Sequence, residues 1–165
     1  MNARTGEPRL EPTVQIEEAK ATSPEATWCL EQYFAELRAR FEGGFDVAKS
    51  VSSDRRDFLR PRGAFVIVSQ EGRPVGCGGV TLTAPTVGYI KRMWIDSSCR
   101  GQGLGRRLLT TLEDAARELG CTTAQLETNK TLTSAIQLYR TAGYREVPPF
   151  NDEFYAHHWF EKPLT

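Results

Sequence analysis

The chain has 165 residues, of which 39% are hydrophobic and 25% charged. That balance excludes a disordered or fibrous protein, and a chain of this length buries roughly 70% of its unfolded surface without disulfides or metals. Lysine plus arginine and aspartate plus glutamate both number 21, so overall charge gives no case for a nucleic-acid partner, and no apolar run is long enough for a helical membrane span.

Residues 1–12 carry charges and prolines and read as a flexible lead-in, followed by one domain over 13–165. The start of the chain lacks the apolar stretch of a signal peptide. Cys29, Cys77, Cys99 and Cys121 are scattered, without a C-x-x-C pair or a neighbouring histidine. Reduced thiols, a cytoplasmic setting and no metal are therefore expected.

Thr13 to Ile16 is predicted as a first strand. Ser23-Pro24-Glu25 opens a helix with Ser23 as N-cap. Trp28, Leu30, Tyr33, Phe34, Leu37 and Phe41 then recur at helical spacing until Gly43-Gly44. A short second helix is expected near Ser53 to Leu59. Gly63 to Ser69 and Val75 to Thr83 form an antiparallel hairpin around Glu71 to Pro74, and Val87 to Ile95 is a third strand of that run. The stripe Leu104, Leu108, Leu112, Ala115, Ala116, Leu119 marks a strong helix, stopped at Gly120. A strand over Cys121 to Thr128, a helix over Thr133 to Ala142, and strands over Tyr144 to Val147 and Tyr155 to Glu161 complete an α/β order around one sheet.

The chemistry concentrates in Ile95-Asp96-Ser97-Ser98-Cys99-Arg100-Gly101-Gln102-Gly103-Leu104-Gly105-Arg106-Arg107. Glycines alternate where a strand becomes a helix. Without a Cβ, backbone amides can approach a bulky anion, and the helix start adds unpaired N–H groups and the positive end of its dipole. Arg100, Arg106 and Arg107 add charge. A Walker A loop is excluded because no Lys-Ser or Lys-Thr follows. A dinucleotide fingerprint is excluded because Arg106 stands where the third glycine belongs. The pattern [RQ]-x-x-G-x-[GA] is matched by Arg100, Gly103 and Gly105.

On that loop, the preceding strand Ile90 to Ile95, and A-x-x-L-Y-x-x-x-G-Y over Ala135 to Tyr144, the sequence resembles the GNAT superfamily of N-acetyltransferases. The resemblance implies a mostly antiparallel mixed sheet with helices on both faces, splayed where Met93, Trp94 and Ile95 leave the strand at Cys121 to Glu127. It implies acetyl-CoA as co-substrate, with its arm on that open edge and its diphosphate on the amides of Arg100, Gly101, Gln102, Gly103, Leu104, Gly105 and Arg106. Asn129 either contacts the coenzyme or caps the next helix.

The same resemblance makes Tyr139 the general acid that protonates the departing thiolate. Many members carry a glutamate on the strand before the loop; Val87-Gly88-Tyr89-Ile90-Lys91 has no carboxylate. The candidates for the base are then Glu127, Tyr89, His157, His158 or a water chain, with Glu127 best placed. The acceptor pocket is expected from the first helix, Phe41 to Leu59 (Phe45, Asp46, Asp54, Asp57) and Phe150 to Tyr155 (Phe150, Asp152, Glu153, Tyr155). The implied activity is acetyl transfer by direct attack to a primary amine, preferably of a small molecule, with a protein N-terminus or lysine behind it. A homodimer is left open. The missing strand carboxylate keeps a second reading alive, a non-catalytic acyl-CoA-binding module.

Overall fold

The structure, a computed structural model, describes residues 13–51 and 55–165. The expected lead-in over 1–12, and Asp54 of the expected pocket, lie outside the described residues. Seven strands form one sheet in the order β1-β2-β3-β4-β5-β7-β6. They are β1 (Val14–Glu18), β2 (Gly63–Gln70), β3 (Arg73–Ala84), β4 (Val87–Ile95), β5 (Thr123–Thr128), β6 (Arg145–Val147) and β7 (His158–Pro163). The helices are α1 (Pro24–Arg40), α2 (Leu104–Glu118) and α3 (Thr133–Thr141).

β2 explains the layering. Its run of apolar residues is buried on both faces, as a central strand demands. Ala64, Val66 and Val68 join the α2 and α3 core with Leu104, Leu108, Leu109 and Leu112. Phe65 and Ile67, one step out of phase, join the α1 core with Ala26, Cys29, Leu30 and Trp94. The period of two thus sends one strand into two cores. Helix α2 reaches the sheet so closely that a Cβ at Gly78 would lie 2.8 Å from Leu112 Cδ1. On that side Glu113 is buried but accepts from the Tyr144 hydroxyl at 2.7 Å and pairs with Lys162 at 3.0 Å.

α1 begins as expected, with the Ser23 side chain accepting from Ala26 N at 3.2 Å. β1 runs on to Glu18 because its backbone keeps pairing with β2 even where Glu17 and Glu18 face solvent. Of the expected second helix, Ser53 and Asp54 lie outside the described residues; the described part is a 3-10 turn, Arg55–Phe58, which buries Phe58 edge-on against Phe65. The last strand starts at His158, not Tyr155. Residues 155–157 instead fold over β5, with Asn129 Nδ2 donating to Tyr155 O at 2.7 Å and His157 N to Thr128 O at 3.0 Å.

Every strand pairing is antiparallel except β4 with β5. That parallel contact covers only Val87↔Thr123, Gly88↔Ala124 and Tyr89↔Gln125. Beyond it each strand keeps its outer partner, β4 with β3 as far as Ile95↔Gly76 and β5 with β7 as far as Thr128↔His158. The inner edges separate, and the sheet opens into a V. A bulge in β4 lies on the lip of the V. Gly79 pairs with Lys91 and Cys77 with Trp94, so one residue too many stands on β4, and Arg92 there takes φ 59°. Among the described residues, no helix is long and apolar enough to cross a membrane, all four cysteines are free and buried, and no cluster of three ligating side chains could hold a metal ion.

Candidate active site

Two cavities occupy the V. One, of about 400 Å³, runs along Met93, Trp94 and Ile95 to the glycine loop and is walled by Leu132, Ala135, Leu138 and Tyr139. The other, of about 430 Å³, lies deeper between α1, the 45–51 segment, β4, β5 and the 153–156 segment. Both are bordered by Tyr33, Leu37, Met93, Leu132, Ala135 and Tyr139. They therefore meet at Met93 and Tyr139.

The groove end at the glycine loop is built from backbone. Gly101 and Gly103 have φ of 83° and 74°, which glycine adopts without strain. A Cβ at either would meet nothing within 4 Å, so the backbone surface there is open. No side chain caps α2, leaving the N–H groups of its first turn without intrahelical acceptors. Gly105 serves a different end: a Cβ there would lie 3.4 Å from Leu138 Cδ2, where α2 and α3 approach. An uncapped helix start behind two left-handed glycines fits a diphosphate, and the unpaired edge of Met93 to Ile95 fits an extended amide-bearing arm.

Two of the loop's arginines have work within the protein. Arg100 pairs with Glu36 of α1 and donates to Ile95 O at 3.2 Å. Arg106 donates to Thr141 Oγ1 at 2.6 Å. Both still border the groove, whereas Gln102 turns back to accept from Gln70 Nε2 at 3.1 Å and does not. Asn129 lines the deeper cavity. Its Oδ1 accepts from Thr131 N at 3.0 Å, a turn ahead of α3, whose N-cap is Leu132.

Tyr139, on α3, is 7% exposed. Its ring packs against Tyr144 and Phe160, and its hydroxyl approaches only a weak acceptor, Met93 Sδ at 4.0 Å. Burial, and next the charge of Glu127, push its phenol well above the usual tyrosine range. It stays protonated at neutral pH.

The four residues among the expected bases divide cleanly. His157 is exposed and its Nδ1 accepts from Lys130 N at 3.1 Å. His158 pairs with Glu146 at 3.0 Å. Neither borders a cavity. Tyr89 faces a third hollow, of about 490 Å³, on the far side of the β4–β5 seam. Glu127, two residues past the last β4–β5 pair, borders the deep cavity itself.

Glu127 is held by one oxygen. The Tyr89 hydroxyl donates to Oε1, and Asn151 Nδ2 donates to Tyr89 at 3.2 Å. Trp159 Nε1 fixes Asn151 through its Oδ1 at 2.9 Å. Oε2 is buried and has no partner among the described residues. Burial pushes the carboxyl up to about 7, the Tyr89 bond opposes that rise, Glu153 adds to it and Lys91 reduces it. A carboxyl that loses its proton near neutrality, with one oxygen uncommitted, can act as a base.

The rest of the cavity is aromatic and charged. Phe45 stacks on Phe34 at 5.7 Å and lies 4.7 Å from Tyr155, with Phe41 closing the group. Glu153 is 9% exposed and accepts from Ser50 Oγ at 2.8 Å and Val51 N at 2.6 Å. Of the acids expected here, Asp46 instead caps a further 3-10 turn, Val47–Lys49, by accepting from Ala48 N, Asp57 borders the far hollow, and Asp152 is exposed away from all three cavities. Phe150 also belongs to the far hollow, edge-on to Tyr89. Sequence reasoning missed Tyr33, Lys91 and Arg92. Tyr33 shares α1's apolar stripe, which gives it no distinguishing mark. Two adjacent cations inside an otherwise apolar strand were a signal available beforehand.

A backbone cradle running into a side-chain cavity with a poised carboxyl is the layout of a two-substrate group-transfer enzyme. Residues 26–144 match the acetyltransferase (GNAT) family, and the chain belongs to that family. It is 36% identical over 98 residues to an IAA acetyltransferase of Azospirillum brasilense, a stretch covering 59% of this chain and 64% of that relative. It is 30% identical over 119 residues to the N-alpha-acetyltransferase RimI of Mycobacterium tuberculosis, covering 70% and 73% of the two chains. A Klebsiella pneumoniae protein assigned as an acyl-CoA N-acyltransferase superposes with TM-score 0.73 at 28% identity, over 92% of this chain and 98% of that one.

Proposed function

We propose that the protein is an acetyl-CoA-dependent N-acetyltransferase acting on the primary amine of a small molecule, by direct attack with both substrates bound. The observation that carries this is Glu127, with its buried Oε2 lacking a partner among the described residues, on the border of a cavity that joins the glycine-loop groove at Met93 and Tyr139. The groove binds acetyl-CoA on the amides between Arg100 and Arg106 and along Met93 to Ile95, and the coenzyme supplies the activated acetyl carbonyl. Glu127 removes a proton from the acceptor ammonium, leaving a neutral amine. As the C–N bond forms and the C–S bond breaks, the Tyr139 hydroxyl donates to the leaving sulfur, and the second proton shed by the nitrogen ends on that sulfur, which departs as the thiol of coenzyme A. With its proton affinity raised by burial, Tyr139 stabilises that sulfur by hydrogen bonding more than by outright transfer.

The size of the acceptor cavity, about 430 Å³ and bordered by the 45–51 and 153–156 segments, favours a small molecule over a protein chain. A thiol-release assay over a panel of small amines, with an alanine-initiated peptide beside them, tests the proposal. Turnover of small amines is expected, with kcat/KM rising as pH increases to a plateau above about 7. Preference for the peptide would move the acceptor to a protein N-terminus. Tight coenzyme binding without turnover of any amine would leave the non-catalytic module.

A further inference from the structure

Two cores hold the described residues together, one under α2 and α3 and one under α1, and Phe41, Phe45 and Tyr155 belong to neither. All three border the cavity that holds Glu127. They come from separate stretches of chain: the end of α1, the 45–51 segment and the 153–156 segment. Phe41 lies 5.9 Å from Phe45 and 5.5 Å from Tyr155, and Phe45 lies 4.7 Å from Tyr155, so each ring touches the other two. The Tyr155 hydroxyl accepts from Asp46 N at 2.7 Å, which ties its ring to the residue after Phe45. Phe45 and Tyr155 are still half-buried, so part of their apolar surface faces the cavity rather than a neighbour. A ligand that covered it would gain the free energy of taking that surface out of water.

The polar lining is largely spoken for. Glu127 and Glu153 face Lys91 and Arg92 around the cavity, so with all four ionised neither sign is in surplus. Glu153 accepts from Ser50 Oγ and Val51 N. Lys91 Nζ donates to Val51 O at 2.7 Å, and the Arg92 guanidinium lies 5.7 Å from the Phe34 ring centre. Glu127 Oε2 is the one buried side-chain nitrogen or oxygen without a hydrogen-bond partner among the described residues. The cavity thus offers one unfilled buried acceptor and one aromatic wall. A single ammonium on an apolar body matches it, and a second ammonium would be buried against the rings at a cost.

Resting on the acetyltransferase reading above, we propose that the acceptor is an arylalkylamine: a primary amine with one ammonium and an aromatic ring on an alkyl spacer. Its ammonium faces Glu127 Oε2, and its ring lies against Phe41, Phe45 and Tyr155. These three are specificity-determining residues, which touch the body of the substrate and none of the reacting atoms. The ammonium gives one proton to Glu127, and the nitrogen takes the acetyl group as the C–S bond breaks. Its second proton leaves on the thiol of coenzyme A, and the ring passes through unchanged.

The test compares phenethylamine, 2-cyclohexylethylamine and ethylamine, which share one amine end, with putrescine, which adds a second ammonium. Thiol release is followed for each, and acetyl-CoA affinity is measured by calorimetry. Burial of the ring predicts kcat/KM for phenethylamine about 10- to 100-fold above ethylamine. Ring-to-ring contacts keep it about 2- to 10-fold above the cyclohexyl analogue, and putrescine does no better than ethylamine. In Phe45→Leu and Tyr155→Leu the phenethylamine-to-ethylamine ratio falls about threefold or more, chiefly through KM, whereas Tyr155→Phe keeps the ring and most of the ratio. Unchanged acetyl-CoA affinity in the variants reports an intact fold, and the acceptor series on the unaltered protein decides even where a variant fails to fold. Equal kcat/KM for phenethylamine and ethylamine overturns the arylalkylamine proposal and leaves the acetyltransferase reading standing. So does a cyclohexyl analogue or putrescine turned over as well as phenethylamine, and so does a failure to acetylate phenethylamine while other amines react. Turnover of no amine, or absence of acetyl-CoA binding in the unaltered protein, overturns both.

Discussion

The glycine-loop end and the acceptor cavity of the V are made of different materials. The first is backbone: two left-handed glycines and an uncapped helix start, with Arg100 and Arg106 engaged elsewhere. The second is side chains drawn from α1, β4, β5 and two separate loops. A backbone site depends on a short stretch of chain and on what is absent from it. A side-chain site depends on long-range placement and on which charges survive burial.

The sharpest way to break this contrast is at Glu127. Glu127→Gln is expected to lower kcat/KM by about 10²- to 10⁴-fold, the usual contribution of a positioned base, with acetyl-CoA affinity unchanged. The same change should raise thermal stability at pH 8. A carboxyl whose folded-state affinity for protons is raised from 4.5 to about 7 holds its proton more tightly folded than unfolded. Its ionisation therefore costs stability progressively as pH rises between those values. Melting curves at pH 8 and pH 4.5 check this: the gain should be present at the first and vanish at the second.

At the other end, Gly103→Asp should weaken acetyl-CoA binding by about 10³-fold, since an anion placed against a diphosphate costs several kcal/mol. Arg100→Ala and Arg106→Ala should each cost less than about tenfold, because their guanidiniums are spent on Glu36 and Thr141. Calorimetry with acetyl-CoA separates these, and a larger loss in the arginine variants would contradict a cradle built from main chain.

Tyr139→Phe removes one neutral hydrogen-bond donor at the junction of the two regions. A drop in kcat of about tenfold with coenzyme affinity intact is expected, and an unaltered kcat removes Tyr139 from the reaction. Tyr89→Phe is the mildest change. Its hydrogen bond lowers the proton affinity of Glu127. Without it the acidic limb of the kcat/KM profile should move to higher pH, by about one unit or less. A purely structural Tyr89 would scale the rate and leave the limb in place.

The same contrast explains what could be read in the chain beforehand. The strand-loop-helix segment carries its conformation in adjacent residues, so glycine spacing and helical period were enough to place it, and β4 was bounded at Val87 and Ile95 as observed. Tyr89 shows the limit. It stood among the candidate bases, yet its partner Glu127 is 38 residues away in sequence and its second contact, Asn151, is 62 away. No local pattern encodes such a triad. The bulge at Arg92 was equally hidden, because β-branched and aromatic content marks a strand but not the residue at which its pairing slips. The acids of the 46–57 and 150–155 segments could be named but not sorted, since the sequence does not say which of them turns inward.

The seam between β4 and β5 is three residue pairs wide. Strands β1 to β4 form one arm and β5 to β7 the other, like tweezers pivoting at Val87, Gly88 and Tyr89. The pivot's last residue is also the hydroxyl that grips Glu127 across the gap. The side chain that tunes the proton affinity of Glu127 therefore sits at the hinge of the V, where the two halves of the sheet are still joined.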